Sequence, residues 1–536
     1  MNIARWAKRK MRRNSLSGLG SKNSRPANQA RAALQAPVTG VPEGTGDPLK
    51  WLQTQLATRT DVVVHSFDAG PGVRCTLVFL AGMVSKETVE KQVLIPLVGM
   101  DGVGSPEEFI KEILVYKRLP VVQQSVCSSL QEVLRGILAG EAVLFIAGEP
   151  RMLTIKAAQY EKRVVQEAPN EAVVRGPREA FIEDLQTNLT LVRRKLKTSA
   201  LKIEMMSIGK LSQTDVAIVY VEGICDPKLV SEMKRRLSAI DLDIILGSSY
   251  LEELIEDNPY SPFPQLQYTE RPDVISAAAV EGRVGLIVDG TPIALLAPVN
   301  VTMLMQASED YYQRYISASW IRLIRYTFAF ISLLLPSVYV AITTFHPDMI
   351  PENLLITVAS SREVVPFPAL VEAFIMELSF EALREATVRI PKAIGQSVSV
   401  IGALIIGTAA VQAGIVSAAM VIIVSMTGIA SFIIPHFDLG LAFRFLRFPI
   451  MILAGMFGMF GIACGIIIIY LHLTELHSFG YPYMAPFAPL STASLKDTVI
   501  RAPWWKMKLR PPFAKGNRTR QGANPRRWDT GNGGKE

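Results

Sequence analysis

Three long runs without a charged residue dominate the second half of this 536-residue chain, at positions 327–345, 397–435 and 449–471. A hydrocarbon layer about 30 Å thick takes roughly 20 helical residues to cross. The first and last runs each suit one span, and the middle run a tight hairpin of two. Four spans are therefore expected, at about 327–345, 397–413, 415–435 and 449–471. Before Trp320 the composition is that of an ordinary globular protein. The chain reads as a soluble α/β region of two modules, 49–165 and 175–319, followed by an all-α polytopic membrane domain over 320–480.

The net charge of +8 is concentrated at the two ends. Every charge before Glu43 is basic, and so is every charge from Arg501 to Arg527. Residues 1–48, rich in Ser, Gly, Ala, Pro and Asn, read as a disordered basic tether, and 481–536 as a basic tail. Four crossings return both ends to the cytoplasm, as the positive-inside rule requires. Attraction to anionic membrane lipid then accounts for the basic ends more simply than nucleic acid does. Arg444 and Arg447 fit badly, because four spans leave them outside. The four cysteines are far apart and read as reduced thiols, and no signal peptide is visible.

In the first module, strands are expected at 61–65, 75–80, 142–146 and 152–155, with helices at 85–94, 106–115 and 132–138. The second should contain helices at 181–197, 227–237 and within 244–254, and a strand at 215–221. Asp289-Gly290 between the apolar runs 284–288 and 291–296 predicts a hairpin closed by a tight primed turn. No repeat relating the two modules is evident.

The segment 370–390 interrupts the membrane half with six charges: Glu372, Glu377, Glu381, Arg384, Glu385 and Arg389. Glu377, Glu381, Arg384 and Glu385 fall at helical steps of three or four and so share one face. In lipid, six charges would cost about 15 kcal/mol or more, at roughly 2.5–3.5 kcal/mol per central charge. The apolar residues of the segment return only about 3–5 kcal/mol. Such a helix lies at the membrane surface with a solvated stripe, or lines an aqueous path built with other helices; both placements stay open. Glu381 can pair with Arg384, and Glu385 with Arg389, which leaves Glu372 and Glu377 without an evident partner and makes them the ion-path candidates. Two stripes of small residues suit close helix packing, Ala403, Gly407, Ala410 and Gly414 in one run and Ala454, Gly458, Gly461 and Gly465 in another.

Nothing in the sequence predicts an enzyme. The five histidines lack metal-ligand spacing, and no phosphate loop, nucleophile elbow or dinucleotide fingerprint is present. No cofactor and no metal are expected.

Several longer motifs point elsewhere: Arg175-Gly-Pro-Arg-Glu179, Ser261-Pro-Phe-Pro264, Thr269-Glu-Arg-Pro-Asp273, Glu281-Gly-Arg-Val284, Val288-Asp-Gly-Thr-Pro292 and Glu309-Asp-Tyr-Tyr312. Val365-Pro-Phe-Pro368, Met376-Glu377, Leu383-Arg-Glu-Ala386, Ala409-Ala-Val411, His477-Ser-Phe-Gly480 and Pro482-Tyr483 continue them. Across about 175–512 the chain resembles the A subunits of spore germinant receptors, the GerA type; residues before about 170 match in general character only. The resemblance implies a non-enzymatic, multi-pass subunit of the bacterial spore inner membrane. It also implies a transporter-like B subunit and a lipoprotein C subunit as partners, and homo-oligomers that form a nutrient-gated cation channel. An A-type paralogue serving a later ion-release step, a stand-alone transporter and a non-conducting scaffold are the competing expectations.

Overall fold

The structure is a computed structural model. It describes residues 48–56, 61–70, 72–100, 105–121, 123–157, 168, 170–171, 173–389, 407–491, 495–516 and 518–521. The expected tether and the last residues of the basic tail lie outside these.

Helix α1 (Pro48–Leu56) leads into strands β1 (Val62–Ala69) and β2 (Val73–Leu80). Helix α2 runs from Lys86–Val89 through a π-helical turn into Ile95–Val98, and α3 (Pro106–Leu114), β3 (Gln124–Cys127), α4 (Leu130–Leu138), β4 (Ala142–Ile146) and β5 (Met152–Ile155) complete the first module. The second follows α5 (Leu185–Lys195). It contains β6 (Leu201–Ile208), β7 (Thr214–Val221), α6 (Pro227–Ser238), α7 (Ser248–Ile255), β8 (Gln267–Thr269), α8 (Pro272–Glu281), β9 (Val284–Val288) and β10 (Ala294–Ala297). Local chemistry sets the helix starts. Ser105 and Asp184 accept hydrogen bonds from the backbone N–H three residues on, and Asp226 from Lys228 N, just ahead of Pro227.

The two modules share one topology. Their five-stranded sheets run β1-β2-β4-β5-β3 and β6-β7-β9-β10-β8, every pair antiparallel. Two helices separate the second and third strands of each, and one separates the third and fourth. This corrects the expectation that no repeat relates them. Each sheet is covered on both faces: Leu77 and Leu144 pack with α2 and α3, while Val78 and Val143 pack with α1 and α4. A strand buried on both sides needs only apolar residues, so two such sheets can coincide in topology without a shared motif.

The Asp-Gly hairpin forms, but not with a two-residue turn. The register pairs Ala294 with Ile287, so residues 289–293 make the connection. Asp289 is engaged elsewhere: its carboxylate accepts from Leu185 N at 3.1 Å, at the start of α5.

The apolar half builds α9 (Tyr315–Phe345), α10 (Glu352–Glu363), α11 (Ala369–Arg389), α12 (Ala418–Phe432) and α13 (Phe437–Glu475). Two of these, α9 and α13, are long and apolar enough to cross a membrane. The expected span at 397–413 lies outside the described residues up to position 406.

Helix α13 is not one rod. Gly458 takes φ 61° and ψ −140°, which breaks the helix. A Cβ on Gly465 would meet Ile450 at 3.3 Å. The rings of Phe443 and His472 lie 6.4 and 6.0 Å from the ring of Phe263 in the second module. In a continuous helix Phe443 and His472 would stand roughly 44 Å apart. The chain therefore folds back at Gly458 into two antiparallel arms, which corrects the expected single span at 449–471.

The small-residue stripes change meaning accordingly. Ala454 sits on the first arm and Gly461 and Gly465 on the second, so they pack within one hairpin rather than along one helical face. In the other stripe, Ala403 lies outside the described residues, and a Cβ on Gly407 would meet Val421 at 3.6 Å. Ala410 packs against the apolar cluster around Met420. Gly414, at φ +65°, belongs to the turn before α12.

Candidate functional site, a ladder of buried carboxylates and arginines

The charged helix α11 packs one side against α9, α12 and α13 and leaves Val371 and Leu378 exposed on the other. Its first turns lie at the end remote from the α/β modules, where Leu370 fills the space beside Gly455 near the hairpin bend. From there it runs back toward the modules, and three of its acids meet arginines at three successive levels.

At the remote level, Glu372 is fully buried and its Oε1 accepts from both the backbone N and the Oγ of Ser417, each at 2.5 Å. The Nε of Arg362 stands 3.8 Å from its other oxygen. Ser417 is the N-cap of α12, so one carboxylate fixes the start of a neighbouring helix.

At the middle level, Glu377 and Arg447 form an ion pair in which each side chain is 1% exposed. Arg447 also donates its Nε to the carbonyl of Ser332 at 2.9 Å, so the rung ties together α9, α11 and the first arm of α13. At the level nearest the modules, Glu381 accepts from Arg384 at 3.2 Å and from Arg444 at 3.0 Å. Arg384 reaches Ser431 of α12 at 2.9 Å and lies over the Phe432 ring at 4.7 Å. One turn further on, Glu385 and Arg389 pair at 2.6 Å with both side chains largely exposed.

Glu372 and Glu377, expected to lack partners, are thus both paired. The missing cations were Arg362, Arg444 and Arg447. Arg444 and Arg447 were legible as an i, i+3 pair on an apolar helix, complementary to Glu377 and Glu381 at i, i+4. Their awkward place on the outer side of the membrane in a four-span topology was the signal: both are buried within the bundle. Oε2 of Glu372 and Oε1 of Glu377 are buried without a hydrogen-bond donor among the described residues.

A second charged cluster joins bundle to modules. Asp310 accepts from Arg322 at 2.7 Å and from Arg325 at 2.9 and 3.1 Å, and Asp497 of the C-terminal segment accepts from Arg322 at 2.8 Å. Burial works to raise the Asp310 carboxyl, but the two guanidiniums overcome it and hold it below the usual carboxylate range. Arg322 and Arg325, just ahead of the first uncharged run, are buried and lock the base of α9.

Two α/β modules joined through a buried cluster of ion pairs to a bundle of apolar helices, two of them long and apolar enough to cross a membrane, define the class. The model of the family described as "Bacillus/Clostridium GerA spore germination protein" matches residues 50–513, reaching well before the segment where the resemblance was legible. The chain belongs to this GerA family. It is 43% identical to spore germination protein KA of Bacillus subtilis, over 88% of this chain and 87% of that one. It is 47% identical to the uncharacterized membrane protein YfkQ of the same organism, over 85% and 89%. A crystal structure of the N-terminal domain of the A subunit of the Bacillus megaterium spore germinant receptor GerK3 is 32% identical; it covers 47% of this chain and 92% of that one, with a TM-score of 0.36.

Proposed function

We propose that this chain is the A-type subunit of a nutrient germinant receptor in the spore inner membrane, and that it works with a transporter-like B subunit and a lipoprotein C subunit. Its helices cross the bilayer several times, with the α/β modules and the C-terminal segment together on the core side. The bend at Gly458 and the start of α11 then lie near the opposite face, and the rung of Glu377 and Arg447 near mid-depth. Copies of the chain assemble around a path for monovalent cations, and nutrient binding by a partner opens it.

The observation that carries this reading is the ladder itself. Charged side chains at such depth are costly and collect along ion or substrate paths. Here each buried acid keeps an arginine beside it, so the ladder describes a closed state in which α11 is tied to α9, α12 and α13. Opening requires rungs to separate, whereupon the carboxylates of Glu372 and Glu377 become available to cations. Their two donor-free oxygens are the atoms that would meet an ion first.

Conductance of purified oligomers in planar bilayers tests the proposal. Glu377→Gln should reduce cation flux per molecule, beyond the loss of abundance that leaving Arg447 buried and unpaired brings. A loss of abundance alone, with unchanged flux per molecule, would make the ladder structural and the chain a scaffold.

A further inference from the structure

The motif Glu281-Gly-Arg-Val284 has no part in the ladder, yet it lies on a cavity of about 980 Å³ between the second module and the C-terminal segment. That volume is in the range of sites for drug-sized ligands. The walls are mainly apolar, with Met303, Tyr311, Met507 and Phe513 among them. The charges are one-sided: seven lining residues are Lys or Arg and two are acids, Glu281 and Asp497. Both acids are already engaged, Glu281 by Arg520 and Asp497 by Arg322 and Tyr311.

We propose that this cleft binds a polyvalent organic phosphate, met by Arg283 at its inner wall and by Lys506 and Lys508 on the C-terminal segment. Arg283 is 4% exposed and stacks on Phe513, with its guanidinium carbon 4.4 Å from the ring centroid. Its Nε finds no hydrogen-bond acceptor, and the nearest carboxylate oxygen, on Glu281, is 4.0 Å away. Burial pulls this guanidinium down to about 10, with Glu281 and Tyr311 opposing only in part. A buried cation short of counter-charge is expensive unless an anion joins it. Lys506 and Lys508 are exposed and can close over such an anion. An organic body, rather than inorganic phosphate alone, fits the volume and the aromatic walls.

Two sources share this chemistry, a soluble nucleotide-like molecule and the head of an anionic lipid. Trp504 and Trp505, partly exposed beside Tyr311 and Tyr315 at the base of α9, keep the second within reach. The site is independent of whether the chain conducts ions.

The test uses the full chain in nanodiscs of phosphatidylcholine, with or without phosphatidylglycerol, at constant ionic strength, with ATP as the soluble probe. Saturable ATP binding by calorimetry is expected in phosphatidylcholine discs, weakened about tenfold by K506Q/K508Q and lost in Arg283→Gln. If phosphatidylglycerol rather than ATP raises the unfolding temperature, and K506Q/K508Q removes the rise, the phosphate is a lipid's. No ATP binding together with no phosphatidylglycerol-dependent shift overturns the site. An ATP signal or lipid shift that survives both variants overturns it equally, because the cations would then not be the binders.

Discussion

Glu377 of α11 and Arg447 of the first arm of α13 meet as an ion pair with 1% of either side chain exposed. They are 70 positions apart in sequence, and Ser332 of α9 holds the arginine from a third helix. One rung therefore couples three helices, and breaking it strands a buried charge.

Arg447→Gln should cost about 3–5 kcal/mol, since it leaves Glu377 buried and unpaired. The exchange E377R/R447E should recover most of that loss in thermal melts of the reconstituted protein. Germination or flux separates the roles further. Recovery with the swap identifies a lock, whereas stability without flux identifies a carboxylate required at position 377 itself.

The hairpin bend makes a geometric prediction. The pair I450C/G465C should form a disulfide under mild oxidation, because these positions face each other across the arms. In an unbroken helix they would lie roughly 22 Å apart and could not cross-link. Gly458→Ala should destabilise the protein by about 1–3 kcal/mol, from its positive φ and its close approach to Phe345 and His346.

At the module side of the hairpin, three acids crowd together. Burial first, then Asp438 and Glu256, pushes the Glu252 carboxyl up to about 8. Burial, with Asp438, Glu253 and Asp257 adding to it and Gln265 N opposing, pushes Glu256 up to about 7. A raised acid binds its proton more tightly in the folded state. Its contribution is full below the ordinary carboxylate range and is lost progressively as pH rises from that range through 7 to 8. Unfolding temperature should fall across that window, and E252Q/E256Q should flatten the profile.

Asp310 tilts the other way. Its depressed carboxyl gives stability that is present at neutral pH and lost on acidification, through the ordinary carboxylate range and below. Asp310→Asn should cost about 3–5 kcal/mol at neutral pH, because Arg322 and Arg325 stay buried without their shared acid. The two windows meet in the ordinary carboxylate range, so the wild type should be most stable there in a pH series of melting curves.

The element types were legible because they depend on local periodicity. The strands at β2, β4, β5, β7 and β9 and the helices α3, α4 and α6 follow from apolar spacing and from caps such as Ser105 and Asp226. Strands β3, β6 and β8 were missed. Their faces are mixed or their length too short, as in Gln267–Thr269, and cross-strand pairing rather than propensity holds them.

The apolar runs, the charge interruption at 370–390 and the family motifs were written in the chain and needed no coordinates. Cost in hydrocarbon is a property of the residues themselves, so the sequence alone said that the charged face of α11 needs partners or water. Which arginine answers each acid was decided only by folding, because Arg362, Arg444 and Arg447 come from other helices. The reversal at Gly458 was likewise hidden, since a glycine in an apolar run reads the same whether it continues a helix or turns it. The sequence stated how many charges had to be neutralised. Only helix packing, which brings distant turns to one depth, settled the partners.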